Sequence, residues 1–157
     1  MRIIVMSDTH RDFFAIQELV QKHQDAEIFI HLGDGASEFS QIVTLYPNHK
    51  FLNVRGNCDF GVEATLAGCF SCGIAKIFYT HGHMYSVKYD LDGLLDAAKE
   101  VGANVVLFGH THVPLCTYRD GIHLMNPGSL GMPRGNNPSY GVIDITEKEI
   151  VCFVNEL

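Results

Sequence analysis

Short apolar runs that stop abruptly at polar, glycine-bearing turns set the rhythm of this chain. Ile3-Ile4-Val5-Met6 stops at Ser7-Asp8-Thr9-His10, and Glu27 to Leu32 stops at Gly33-Asp34-Gly35. Phe51 to Val54 runs into Arg55-Gly56-Asn57-Cys58-Asp59, and Val105 to Phe108 into Gly109-His110-Thr111-His112. Runs this short and this continuously apolar predict strands buried on both faces. Between them, Asp12 predicts the N-cap of a helix carrying Phe13, Ile16, Leu19 and Val20 on one stripe. Ser37 to Leu45 predicts a second helix, stopped by Pro47. Strand, loop and helix in this order predict an α/β layer with parallel strands.

The texture then changes. Val62 to Phe70 and Ile74 to Tyr79 predict two strands joined through Cys72-Gly73, the second ending at Thr80-His81-Gly82-His83. Leu91 to Val101 predicts a helix with Leu94, Leu95, Ala98 and Val101 on one face and Gly102 at its end. Leu115 to Tyr118 and Ile122 to Met125 flank Asp120-Gly121, a hairpin signal, and Tyr140 to Ile145 with Glu149 to Val154 predict a last hairpin. A loop rich in glycine and proline, Asn126 to Pro138, lies between. With strands in both halves and no repeat or linker, the expectation is two packed sheets with helices outside, in one domain over residues 1–157.

Composition narrows the function. A chain of 157 residues, 46% hydrophobic and 18% charged, can bury a sizeable core and is not a disordered segment. A formal net charge of -7 argues against nucleic acid as a partner, since loose binding to phosphate backbones runs on lysine and arginine. The opening apolar stretch ends at Ser7-Asp8, too short for a signal peptide or a membrane span, so a cytoplasmic protein with no membrane partner is expected. Its five cysteines are expected to be reduced thiols. Cys69-Phe70-Ser71-Cys72 has redox or zinc spacing but lacks a second such pair, and reads as ordinary hairpin residues.

The turns hold the chemistry. Asp8, His10, Asp34, Asn57, His81, His110 and His112 each follow an apolar run, which delivers them to the carboxyl ends of strands, where open α/β sheets place ligands. His110 and His112 alone would read equally well as loop polar groups; their two rings, one residue apart, can also be aimed at two neighbouring metal ions. Carboxylates, imidazoles and an amide without a thiolate suit borderline divalent ions better than a calcium cage. Asp34, on a glycine-flanked turn, is the best bridge between two ions. Two divalent ions outweigh Asp8 and Asp34 in charge, so the site draws phosphate and activates a hydroxide for in-line attack on phosphorus.

The ordered set D-x-H, G-D, G-N, H-G-H and G-H-T-H closely resembles the calcineurin-like metallophosphoesterases. Met6-Ser7-Asp8-Thr9-His10, Arg55-Gly56-Asn57-Cys58-Asp59 and Asn126-Pro127-Gly128-Ser129 resemble their small bacterial and archaeal, YfcE-like phosphodiesterase branch, over about Met1 to Ile145. The resemblance implies a four-layer αββα sandwich of two mixed β-sheets flanked by helices. It implies that Asp8, His10 and His112 hold one metal, that Asn57, His81 and His110 hold the other, and that Asp34 bridges them. It implies two divalent transition-metal ions, manganese first, with nickel, iron(II), cobalt or zinc as other choices. The substrate it implies is a small or activated phosphate ester, chiefly a diester, and a small homo-oligomer is the family-level expectation.

The catalytic candidates are Asp34, Asn57, Cys58 and Asp59. Many family members carry a histidine after the Gly-Asn pair to protonate the leaving group or grip phosphate; Cys58 stands there instead. Two cations would favour its thiolate, which makes it a poor general acid, so weak leaving-group assistance is expected. Asp59 could act through a water, but its position is equally suited to a helix cap, and the cap ranks first. His31 either supports Asp34 or packs in its strand, His83 is expected on a pocket wall, and His23, His49 and His123 on the surface. The competing reading is a catalytically silent interaction module of the same fold, as in a retromer subunit that has lost some ligands; the complete ligand set favours the enzyme.

Overall fold

A computed structural model describes all residues, 1–157. The first half alternates β1 (Arg2–Met6), α1 (Phe13–Lys22), β2 (Ile28–His31), α2 (Ala36–Leu45) and β3 (Lys50–Asn53). These three strands are parallel, with Ile4 opposite Phe29 and Phe29 opposite Phe51. An antiparallel hairpin follows, β4 (Ala67–Cys72) and β5 (Ala75–Thr80), then α3 (Asp92–Glu100) and β6 (Val105–Leu107). The chain closes with β7 (Leu115–Arg119), β8 (Ile122–Asn126), β9 (Ser139–Ile145) and β10 (Ile150–Glu156).

The strands form two mixed five-stranded sheets, ordered β10-β9-β1-β2-β3 and β4-β5-β6-β8-β7. Alternation along β1 shows how they stack. Ile3 and Val5 join Ile77, Tyr79, Val105 and Leu107 between the sheets, while Ile4 and Met6 meet Ile16, Leu19, Phe39 and Ile42 of α1 and α2 outside. On the far side, Leu94, Leu95 and Ala98 of α3 cover Phe78, Val106 and Leu124. The result is the expected αββα sandwich, and burial on both faces explains the unbroken apolar runs.

Two expectations need correction. The predicted strand from Val62 begins only at Ala67, because its partner β5 ends at Thr80 and then turns away at His81, leaving Val62 to Leu66 with nothing to pair. The first sheet is mixed, as expected, since β9 returns to pair antiparallel with the parallel strand β1. A short 3₁₀ turn, His83–Tyr85, follows β5. His23, His49 and His123 are half-buried rather than at the surface: His23 Nε2 lies 3.0 Å from the Tyr140 hydroxyl, and the other two rings pack on Phe29 and Tyr118. No helix is long and apolar enough to cross a membrane.

Leu95 sits 2% exposed under α3, away from the loops that carry the histidines. Leu95→Ala should cost about 2–4 kcal/mol in urea unfolding while leaving divalent-cation affinity unchanged. A matching loss of affinity would show that the outer helix of the second sheet holds the site in shape.

Candidate metal centre

The loops after β1, β2, β3, β5 and β6 meet because their backbones bond to one another. Asp8 N–H donates to the Gly33 carbonyl at 3.0 Å, His10 N–H to that of Asp34 at 3.0 Å, and Gly109 N–H to that of His81 at 3.0 Å. His110 N–H donates to Asp8 Oδ2 at 3.0 Å and Cys58 N–H to Asp34 Oδ1 at 2.7 Å. Glycine permits two of the approaches: a Cβ on Gly56 would stand 2.0 Å from Asp34 Oδ1, and one on Gly109 2.0 Å from Ser7 Oγ. Asp8, His10, Asp34, His110 and His112 all have positive φ, between 44° and 69°. Each such residue costs about 1–2 kcal/mol, and the cross-loop bonds hold them there.

The side chains present acceptors to acceptors. His81 Nδ1 donates to the Leu32 carbonyl at 2.8 Å, which leaves the lone pair of Nε2 facing inward. That Nε2 lies 3.1 Å from Asn57 Oδ1, 3.2 Å from His110 Nδ1 and 3.5 Å from Asp34 Oδ2. His112 repeats the device, donating from Nδ1 to the Met132 carbonyl at 2.6 Å while its Nε2 lies 3.1 Å from Asp8 Oδ1 and 3.3 Å from His10 Nε2. Asp8 Oδ1 is fully buried and receives no hydrogen bond of good geometry despite that neighbour. Lone pairs this close need a proton or a cation between them, and seven of them converge here. The set therefore fits divalent metal. Asp8, His10 and His112 form one cluster of ligand atoms within 4.8 Å of one another, and Asp34 joins others with His81 and Asp8 and with His10 and Cys58.

The electrostatics follow the same contacts. Burial would raise the Asp8 carboxyl, but the adjacent His112 ring, the nearby His81 and the Ser7 hydroxyl outweigh it and hold Asp8 below the ordinary carboxylate value. Asp8 in turn raises His112 against the effect of its burial. Burial, then the charge of His81, pushes His110 down to about 4, a neutral ligand. Burial and the Asp34 carboxylate lift the exposed Cys58 thiol to about 11.

Around this centre lie supporting groups whose partners sequence pattern alone does not reveal. Asp59 accepts four backbone N–H groups, those of Asp34, Gly35, Ala36 and Gly56, at 2.8–2.9 Å. It thereby caps α2 and ties the loop after β2 to the loop after β3. His31 accepts the Gly33 N–H at Nδ1, so its Nε2–H points to Thr9 Oγ1 at 3.0 Å, and Thr9 donates to Glu38 Oε1 at 2.7 Å. Burial drives His31 down to about 4, so the ring is neutral and supports the Asp34 loop through the backbone of Gly33. Ser129 Oγ donates to the Asp8 carbonyl and Asn126 Nδ2 to that of Gly109, which makes the Asn-Pro-Gly-Ser loop a brace. His83 stays outside the cluster, its ring 5.3 Å from that of His81. A cavity of ≈ 510 Å³ opens beside His10, Asp34 and Cys58; Gly35 and Met132 line it as well, but His83, expected on a pocket wall, does not.

Residues 1–148 match the calcineurin-like phosphoesterase superfamily domain. Among solved structures the chain is similar to a conserved uncharacterized protein of Streptococcus pneumoniae TIGR4, described as a predicted phosphoesterase. The two are 30% identical with a TM-score of 0.85, over 98% of this chain and 87% of that one. It is also similar to YfcE, a phosphoesterase from E. coli, at 25% identity and a TM-score of 0.72, over 92% of this chain and 88% of that one. Vps29 of Cryptosporidium parvum superposes with a TM-score of 0.83 over 99% of this chain and 91% of that one; at 17% identity this likeness concerns the fold alone.

Asp59 provides a pH test. Burial would raise its carboxyl, but the four amide donors outweigh burial and hold it below the ordinary value. A depressed folded-state value gives a contribution that is full above the unfolded-state value and is lost as pH falls through the folded one. Asp59→Ala should therefore lose about 3 kcal/mol at neutral pH, and the gap to the parent should close in acid. Urea titrations across the acid range read this directly; a gap that does not change with pH would show that the charge contributes nothing.

Proposed function

The chain belongs to the calcineurin-like phosphoesterase superfamily, and from that premise we propose that it is a dinuclear metal-dependent phosphodiesterase acting on small or activated phosphate esters. The convergence of buried acceptors, with Asp8 Oδ1 left without a donor, carries this reading. Asp8, His10 and His112 would hold one ion, Asn57, His81 and His110 the other, and Asp34, which clusters with both sides, would bridge them. A pair of divalent ions, manganese or another of the borderline metals, supplies a nucleophilic hydroxide and neutralises charge on the phosphate.

The chain's own groups do the rest. The Leu32 and Met132 carbonyls fix the tautomers of His81 and His112, so their lone pairs stay aimed inward as substrate arrives. Cys58 lines the cavity where a general acid would stand. Raised by burial and Asp34 to about 11, its thiol is a feeble proton donor, and cations beside it would convert it to a thiolate with no proton to give. Asp59 cannot take over, since amides occupy both its oxygens. The leaving group then departs with little assistance, which restricts fast turnover to activated esters. A silent interaction module would have no need of the full set of acceptors, and the turnover test below separates the two readings.

Protein loaded in turn with Mn, Ni, Co, Zn or Mg should hydrolyse bis(p-nitrophenyl) phosphate, and chelator should abolish it. Asp34→Asn and His81→Ala should lower kcat/KM about a thousandfold or more with an unchanged far-UV circular dichroism spectrum. Tight binding of two ions with no turnover of any monoester or diester would establish the silent module instead. Across aryl phosphodiesters the rate should fall steeply as the leaving group becomes more basic; a flat profile with chemistry rate-limiting would mean that an acid is present after all.

A further inference from the structure

Glu38 is 4% exposed, in the first turn of α2, and its side chain lies on the wall of the cavity beside the metal ligands. Its Oε1 accepts the Thr9 hydroxyl at 2.7 Å and the Arg11 N–H at 2.6 Å. Its Oε2 has no partner in the protein. The side chain is not free to swing: His31 is oriented by Gly33, Thr9 by His31, and Glu38 by Thr9. The other carboxylates of that wall are already engaged. Asp59 is filled by four amides, while Asp34 takes the Cys58 N–H on Oδ1 and faces His81 with Oδ2.

The second oxygen of Glu38 opens to the cavity with no donor from the protein, so it is free to accept one from a ligand held there. Phe60, 88% exposed, and Met132, 55% exposed, line the same cavity and offer apolar cover for a carbon skeleton. Arg11 also stands on the wall, exposed and without an ion pair, so the Glu38 carboxylate selects only among groups that reach it within hydrogen-bond distance.

We propose that Glu38 determines specificity: it accepts a hydrogen bond from a hydroxyl or ammonium group on the alcohol arm of a phosphodiester held at the metal centre, and it disfavours arms that carry an anion. This rests on the phosphodiesterase reading above. The test holds the leaving group constant and varies the other arm, using the ethyl, 2-aminoethyl and carboxymethyl esters of p-nitrophenyl phosphate with the manganese-loaded protein. The parent should prefer 2-aminoethyl over carboxymethyl by about tenfold or more in kcat/KM, as expected for a fixed charge at a few ångströms in a partly screened cavity. In Glu38→Gln the amide oxygen still accepts from Thr9 and Arg11, while an NH₂ donor replaces Oε2, so the order should flatten or reverse.

A purely structural role would slow all three esters together and leave their ratios intact, and that result overturns the proposal. Calorimetric binding of 2-aminoethylphosphonate and phosphonoacetate to the same protein reads the preference without turnover. If no ester is hydrolysed, the phosphodiesterase reading fails, yet tighter binding of the aminophosphonate, lost in Glu38→Gln, would still support the Glu38 pocket. Equal binding of both by the parent overturns it.

Discussion

One carboxylate with four amide donors holds this molecule's chemistry in register. Asp59 sits past the end of β3, but its oxygens bind the amides of Asp34, Gly35 and Ala36 after β2, along with that of Gly56 in its own loop. The proposed bridging aspartate lies on the backbone that Asp59 grips. The same contacts give α2 its N-terminal cap, which neither Gly35 nor any other side chain provides. A cap and a site thus depend on one residue, and the position of Asp34 is set by bonds that never touch its side chain.

Those loops are held in conformations that they would not choose alone. Five of the candidate ligands carry left-handed backbone, and oxygens of Asn57 and Asp34 stand 3.1 and 3.5 Å from the Nε2 lone pair of His81. Backbone strain and acceptor crowding both oppose folding. The sheets offset this: β1 and β2 are apolar on both faces, and their clusters of Ile, Leu, Val and Phe lie directly below the loops. A rigid sandwich tolerates a strained edge, and a cation would convert the crowding from a cost into coordination.

The cavity beside that edge explains how an acidic chain can handle phosphate. Net charge is -7, but the negative groups near the centre are spoken for, either as ligands or by amide donors. Glu38 is the exception, with one oxygen engaged and one open. Cys58 lies on the same wall with a thiol that burial and Asp34 keep protonated. Under the proposed reaction, attack on phosphorus would be well provided for and departure of the alcohol would not, while the alcohol's own polar groups would meet Glu38.

Much of this was legible along the chain, and the part that was not has a common cause. Apolar runs marked β1, β2 and β6, Asp12 marked the start of α1, and Asp120-Gly121 marked a hairpin, because each signal is local. Each candidate ligand follows such a run, so the strand ends and the candidate ligands are read off together. Val62 to Leu66 misled because a strand needs a neighbour, and β5 ends too soon to supply one. Glu38 carries no signal in the local pattern, and the choice between the two readings of His31 waits on its partners. By itself the sequence determined which residues stand at the strand ends and what donors they carry, since periodicity and residue type act over a few positions. Only the tertiary structure decided which of those donors face one another: Asp8 meets the amide of His110 across 102 positions of chain and the hydroxyl of Ser129 across 121, and closures of that length are set by how two sheets stack, not by any local pattern.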